Sequence, residues 1–430
     1  MKIKELIEAT GAKVLTEVDK DLDVKISTDT RTIQAGDFYL PLKGASFDGE
    51  KFINQAFEKG AIGAFCTGDN GTLQVQNTLT AYLQLANYRR KKLNFTVVAI
   101  TGSSGKTTTK ELAASVLSEK FRTFKTPLNH NNEIGFCQTI FEAPDDTEIL
   151  VLEMGMRGLG EIELLSKYAE PDITIISNVG TAHIGRLGSR ENIAKAKCEI
   201  VKYQRGNIFI AHDDELIKKT VQFSGKKIFY SIKDVKILEK DTHYSKFEYY
   251  GNIYELNVGG DYNIENALSA INTGLTLGMK VDEIQSGLKK YAPIEKRWEA
   301  VNAGGFEIIN DSYNANPESM RAFIDTIFEL YKKPVVILGD MGELGEDEIK
   351  YHSELGKYIN SHKNLRQDAE ILSIGKLSKY ITDGVTNCPA KHFETIEQAA
   401  AYLKNKDTKV QLFLKASRSM KFERIIEELK

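Results

Sequence analysis

The feature that most constrains this chain is the apolar run Phe95-Thr-Val-Val-Ala-Ile100 leading into Thr101-Gly102-Ser103-Ser104-Gly105-Lys106-Thr107-Thr108-Thr109. The β-branched run predicts a buried parallel strand, and the residues after Lys106 carry a helical pattern. A strand, a glycine-containing turn and a helix N-terminus aim several backbone N–H groups at one spot. The helix dipole adds positive potential there, so the turn predicts an anion site. Lys106 can neutralise the β- and γ-phosphates of a nucleotide, and the Thr107 hydroxyl is placed to ligate Mg²⁺. The first glycine of the general G-x-x-x-x-G-K-S/T pattern is Ile100 here. The strand before and the helix after still argue against a chance Gly-Lys-Thr. The cradle predicts an ATP-consuming enzyme.

At 430 residues the chain exceeds one ordinary core and predicts several domains. We expect three: 1–93, 94–295 and 296–430, with the second boundary in the stretch Tyr291–Arg297 around Pro293. The first holds short strands such as Asp37–Leu40, a helix near Lys51–Lys59 and a helix over Thr78–Lys92. In the second, apolar runs at Glu148–Met154, Ile173–Asn178 and Asn207–Ala211 alternate with helical patterns, which implies βαβ units around a mostly parallel sheet. Residues 227–258 read as antiparallel strands and Tyr262–Leu277 as a helix. The third alternates again, with Pro334–Leu338 entering the turn Gly339-Asp340-Met341-Gly342. The expected fold is α/β throughout, with a central P-loop-type ATPase domain and a mixed α/β N-terminal domain.

A net charge of -3 without basic blocks argues against a nucleic-acid binder. Cys66, Cys137, Cys198 and Cys388 show no C-x-x-C spacing, so neither a zinc site nor a dithiol is expected, and their sparseness fits a reducing compartment. Met1–Leu15 has no apolar core of a signal peptide, and no apolar run reaches the ~18 residues of a membrane span. The expectation is a cytoplasmic monomer without membrane insertion.

Around the cradle, Glu148–Glu153 reads as a buried strand ending in a carboxylate. Ligands of open α/β sheets sit beyond the carboxyl ends of strands, so Glu153 is expected to face the phosphates as a magnesium ligand or water-orienting group. Ile173–Asn178 repeats the pattern and is followed by His183, a candidate metal ligand, although a lone histidine is more often structural. Lys195 and Lys197 fall on a predicted helix, where the residues alone suggest a solvated charged face.

Taken together, these residues resemble the ATP-dependent Mur ligases of peptidoglycan synthesis. The matching strings are TGSSGKTTTKE, NHNNEIG, LEMGMRGLGEI, NVGTAHIGRLGS with IAKAKCEIV, YNIENALSA, RWE, NDSYNANPESM and GDMGELGE. They run in the family's order across essentially the whole chain. The resemblance implies a UDP-substrate domain, a central ATPase and a Rossmann-like C-terminal domain. It also implies that the carboxylate of a UDP-linked peptide attacks the γ-phosphate of ATP, and that an amine then displaces phosphate to form an amide. The last two strings, with LPLKGASFDGEKFI near the start, imply D-alanyl-D-alanine as that amine and a UDP-N-acetylmuramoyl-tripeptide as its partner.

By the same resemblance Lys106, Glu153, His183 and Lys197 are catalytic, with Thr107, Glu153, His183 and a carbamylated Lys197 on magnesium. Lys195 is the alternative to Lys197, on a different helix face. Gly102 to Thr108, Asn263, Asn266, Arg297 and Asp311 fall on the nucleotide, with the two asparagines at adenine and the last two at phosphate and ribose. Thr28, Asp29, Thr30, Arg31, Lys43, Asn131 and Asn132 fall on the UDP-substrate, Arg31 and Lys43 suiting its diphosphate. Because Asp311 lies in the third segment, closure of that segment would complete the ATP site and exclude water. Four positions depart from the family pattern: Leu128 for Gly, Cys137 for Pro, Glu50 for His and Tyr262 for His. Leu128 lacks glycine's freedom, which predicts another path for its loop. The alternatives are a related ligase with another acceptor, such as a folylpolyglutamate synthetase, and a nucleotide switch. The N-terminal segment and the Asn-Ala-Asn-Pro run argue against the first, and the lack of an N-K-x-D signature weakens a GTPase.

Overall fold

A computed structural model describes residues 1–44, 47–365 and 367–430. Ala45 and Ser46 of the LPLKGASFDGEKFI string therefore lie outside the described residues. In the first segment, five short strands form a sheet in the order Lys13–Val14, Leu73–Gln74, Gly63–Cys66, Phe38–Tyr39, Ile26–Ser27. The expected helix near Lys51–Lys59 is a 3₁₀ turn, Gly49–Phe52, running into Ile53–Glu58.

The helix Thr78–Leu93 starts on Asn77, whose side chain accepts from Thr80 N–H, and ends at left-handed Asn94 with Arg90, Lys91 and Lys92 in its last turn. Both ends thus suit the helix dipole. Arg90 is 1% exposed. Its guanidinium donates to the carbonyls of Ala169 and Glu170 at 2.9 and 3.0 Å and lies 3.4 Å from Asp172. Arg89 reaches the carbonyls of Ile140 and Ala143, so one helix fastens the first segment to the second.

The central sheet runs Lys226–Tyr230, Ile208–His212, Ile173–Ile176, Thr96–Thr101, Ile149–Glu153, Thr123–Lys125. Every pairing in it is parallel. All five residues of Ile149–Glu153 are buried, as the unbroken apolar pattern requires. One expectation needs correction: residues 226–230 are not antiparallel but form the parallel edge of this sheet. An edge strand leaves residues exposed at its open side, which makes it read like an antiparallel ribbon. Only Lys236–Lys240, Ser245–Tyr249 and Asn252–Leu256 form the antiparallel sheet. The expected helix at Tyr262–Leu277 is Asp261–Thr276.

The sheet of the third segment runs Glu299–Ala303, Phe306–Asn310, Leu412–Lys415, Val335–Gly339, Glu370–Ile374, Ala390–Phe393, parallel except at its first pair. Trp298, 3% exposed, wedges this segment onto the second. Its ring meets Tyr262 and Phe323 edge-on, each at 5.7 Å, and its indole N–H donates to Thr242 O at 2.8 Å. Such edge contacts are worth about 0.5–1.5 kcal/mol each beyond the area they bury. Among the described residues no helix is long and apolar enough to cross a membrane.

Candidate active site

Register places the chemistry on one rim. Ile100 pairs with Glu153 and Thr101 with Ile176, so three parallel strands end side by side. Beyond them opens a cavity of about 590 Å³ lined from the second and third segments. It brings together Ser103 to Thr108, Asn131, Asn132, Glu153, His183, Asn263, Asn266, Arg297 and Asp311. Gly102, Lys197, Thr28, Asp29, Thr30, Arg31 and Lys43 do not line it.

The cradle turn is built by its neighbour strand. Ser103 N–H donates to Asn178 O at 3.1 Å and Ser104 N–H to Asn178 Oδ1 at 3.0 Å. Asn178 Nδ2 returns a bond to Ser104 O at 3.1 Å, and Gly180 N–H donates to Ser103 Oγ at 2.9 Å. Those two cradle amides are therefore taken. Among the described residues the amides of Gly105, Lys106, Thr107 and Thr108 have no acceptor, and the first helical bond is Thr109 N–H to Gly105 O. These four remain for a ligand. Gly105 has φ of +77°, and a Cβ there would collide with the Asn266 amide, so both backbone conformation and space call for glycine.

Three cations bear on the turn. Lys106 Nζ donates to Gly102 O at 2.8 Å, and its pKa is lowered by burial, with Glu153 acting in the opposite sense. The Arg297 guanidinium donates to Thr107 Oγ1 at 2.9 Å and stacks 3.8 Å over the Tyr313 ring. Lys197 is 1% exposed whereas Lys195 is exposed, so the solvated-face reading fails for Lys197 alone. Burial first and the Lys106 charge second hold its pKa well below the usual lysine range.

Glu153, 4% exposed, accepts from Asn131 Nδ2 on Oε1 at 2.9 Å, while its buried Oε2 has no hydrogen-bond partner. A buried carboxylate oxygen left open beside a phosphate cradle suits a hard cation. Among the described residues no three His, Cys, Asp or Glu side chains cluster to hold a metal by themselves. Magnesium would thus depend on Thr107, Glu153 and the nucleotide's own oxygens, which these residues fit.

His183 adopts φ of +67° and lies 2.6 Å from Glu343, itself at φ +62°. The His183 contact holds the Glu343 carboxyl below the usual range. Thr181 donates through both N–H and O–H to Glu318 Oε2, at 3.0 and 2.8 Å. Asp311 accepts from Trp298 N–H at 3.2 Å and from Lys415 Nζ at 2.6 Å. Asn263 Nδ2 donates to Gly259 O at 2.7 Å, and Asn266 Oδ1 accepts from Thr109 Oγ1 at 3.2 Å. Sequence reasoning missed Asn178, Glu318, Glu343 and Lys415. Asn178 alone had a local signal, its place at a strand end.

The UDP-side residues lie on the first segment. Arg31 forms a forked pair with Asp29 at 2.6 to 3.0 Å and is exposed, and Lys43 lies 3.5 Å from Asp48. Arg31 pulls the Asp29 carboxyl down to about 2. Thr30 bonds Gln55, and its carbonyl accepts from Lys59. Leu128, expected to divert its loop, keeps φ of +45°, the left-handed conformation a glycine would take, with 79% of its surface exposed. Glu50 accepts from Thr67 N–H, and Cys137 is buried in the core.

Comparison with known proteins bears on the family and the fold. Residues 100–274 match the Mur ligase middle domain, and residues 296–418 match the Mur ligase, glutamate ligase domain. The UDP-N-acetylmuramoyl-tripeptide–D-alanyl-D-alanine ligase of Bacillus subtilis is 36% identical, over 99% of this chain and 97% of its own length. The enzyme of that name from Synechocystis is 36% identical over 81% of this chain and 79% of its own. A crystal structure of MurF from Acinetobacter baumannii superposes with a TM-score of 0.87 at 28% identity, covering 100% of this chain and 98% of that one. MurF ligase from Thermotoga maritima in complex with ADP gives 0.83 at 27% identity, covering 96% and 98%.

Proposed function

The chain belongs to the Mur ligase family, and from that premise we propose that it joins D-alanyl-D-alanine to UDP-N-acetylmuramoyl-tripeptide with conversion of ATP to ADP and phosphate. The observation that carries this reading is the meeting of four free amides at Gly105 to Thr108 with the open Glu153 oxygen in one cavity.

The tripeptide carboxylate forms an O–P bond to the γ-phosphorus as the bond to the β-phosphate oxygen breaks, and ADP leaves. The amine of D-alanyl-D-alanine then forms a C–N bond to the acyl carbon, phosphate departs with the C–O bond pair, and the nitrogen loses a proton. Both steps bring anions together. The free amides and Lys106 meet the phosphoryl oxygens, and Arg297 adds a second positive charge from the third segment. Thr107 and Glu153 would hold one magnesium with the nucleotide's oxygens, and His183 with Lys197 as its carbamate a second; when bound, these ions neutralise charge on the phosphates and the entering carboxylate. Burial lowers the pKa of Lys197, which favours the free amine that adds to CO₂, forming an N–C bond and releasing a proton, so that the side chain becomes an anionic acceptor. Asn263 and Asn266 would take adenine, and Asp311, oriented by Lys415, the ribose. Thr28 to Arg31, Lys43, Asn131 and Asn132 would take the UDP-sugar peptide.

The same reading divides the chain at 93/94 and 295/296 and sets the enzyme in the cytoplasm, making a peptidoglycan precursor. The test is the mass of the product formed from ATP, defined UDP-muramoyl peptides and candidate amines. A product heavier than the tripeptide by one D-alanyl-D-alanine unit less water is expected. Phosphate release that follows glutamate or diaminopimelate, and ignores D-alanyl-D-alanine, would refute the assignment.

A further inference from the structure

Lys110 is a fully buried cation for which the proposed reaction has no use. It stands one turn beyond Lys106 on the helix Lys106–Leu117 and is 1% exposed. Its Nζ donates to Thr126 O at 2.9 Å and Leu128 O at 3.2 Å, lies 3.2 Å from Glu111 and 3.8 Å from Glu153 Oε2. An ammonium survives away from water only where several acceptors surround it. Here they come from three separate elements: the cradle helix, the strand end at Glu153 and the turn at Thr126–Leu128.

That turn needs holding. Leu128 is left-handed at φ +45°, which a branched side chain resists, and with 79% of it exposed little packing secures it. Its carbonyl is tied to Lys110. A few residues on, Asn131 donates to the other oxygen of Glu153 at 2.9 Å, and Asn131 O accepts from Gly155 N–H at 2.8 Å. A ring therefore closes through Lys110, Leu128, Asn131 and Glu153. We infer that Lys110 is a positioning residue, which locks the 126–132 loop in its left-handed turn and so shapes the seat of the UDP-peptide. The substrate named here rests on the function proposed above, whereas the locking of the loop does not.

The full-length Lys110→Met variant keeps side-chain length and removes the donor. Its dissociation constant for UDP-N-acetylmuramoyl-tripeptide, read by calorimetry, is expected to rise about tenfold, as befits buried carbonyls left without a partner. Binding of ADP without magnesium should stay within about twofold, because the cradle amides are untouched. Adding Leu128→Gly, which favours the left-handed turn by itself, should recover about fivefold of the lost affinity. General destabilisation would weaken ADP binding as well, which the ADP measurement detects. Unchanged peptide binding, an equal loss for ADP, or no recovery with Leu128→Gly would each overturn the inference. Lys110→Gln serves should the Met variant not fold: its side chain is one bond shorter and falls short of carbonyls that lie 2.9 and 3.2 Å from the lysine nitrogen, the same split is expected, and parental peptide binding would overturn it. If the parent itself fails to bind the UDP-peptide, the proposed function falls instead. Hydrogen exchange at amides 128–132, expected about tenfold faster in the variant and overturning the inference if unchanged, then still decides the role of Lys110.

Discussion

Gly185→Ala separates docking from folding. Gly185 lies in the short helix Ile184–Leu187, and a Cβ there would stand 2.6 Å from Gly345 N, 2.8 Å from Gly345 Cα and 3.0 Å from Glu343 O. Within the second segment alone, alanine favours the helix by up to about 1 kcal/mol. Across the joint, the methyl must push the backbone of the third segment away, and forced overpacking costs about 1–3 kcal/mol. It also disturbs the 3.2 Å bond from Gly185 N–H to Glu343 O and the His183–Glu343 contact beside it. At 1.36 kcal/mol per factor of ten, the docking equilibrium should fall by about 5- to 150-fold. If closure precedes every turnover, kcat/KM for ATP falls by the same factor. Phosphate release under defined ATP measures it, with thermal unfolding and small-angle scattering alongside. The expected result is slower turnover, an unchanged or raised Tm and a larger radius of gyration. Turnover within about twofold of the parent, or a Tm that drops with activity, would refute the reasoning.

Lys197→Ala should abolish amide formation while ADP still binds, and short carboxylic acids should restore part of the turnover; parental turnover without them would exclude a carbamate. Asn178→Asp turns a donor facing Ser104 O into an acceptor, so ADP affinity is expected to fall about tenfold by calorimetry, and an unchanged affinity would show that the cradle holds its shape alone. Asp29 titrates at about 2 rather than 3.8. Its folded pKa is depressed, so its contribution is complete above the unfolded value and is lost as pH falls through about 2. Since the pair is exposed, that contribution should stay below about 1 kcal/mol. Carboxyl NMR should show the low value return toward 3.8 in Arg31→Ala, and an ordinary value in the parent would contradict the Arg31 pairing.

Much of the phosphate site was legible because it is local. A buried strand, a turn and a helix start are contiguous in sequence, and Glu153 follows from one further strand ending at the same rim. The residues alone suggest a solvated Lys197, although a signal for its burial exists. It falls four residues after Ile193 and three before Ile200, on the apolar stripe of its helix, whereas Lys195 falls off that stripe. Glu318 and Glu343 were invisible for a different reason: their partners, Thr181 and His183, are more than a hundred residues away, and no local period encodes a contact between segments. Leu128 was expected to bend its loop elsewhere. The backbone instead accepts the strained region, where neighbouring bonds outweigh a side chain's preference.

The two joints of this molecule differ in kind. Between the first and second segments, Arg90 is sealed from solvent and spends its donors on the backbone turn at Ala169–Glu170. Parting those surfaces would break both of these charge-assisted bonds, each worth about 1.5–3 kcal/mol, and open the packing around them. The distance from the first segment to the phosphate cradle is thus set at folding rather than at binding.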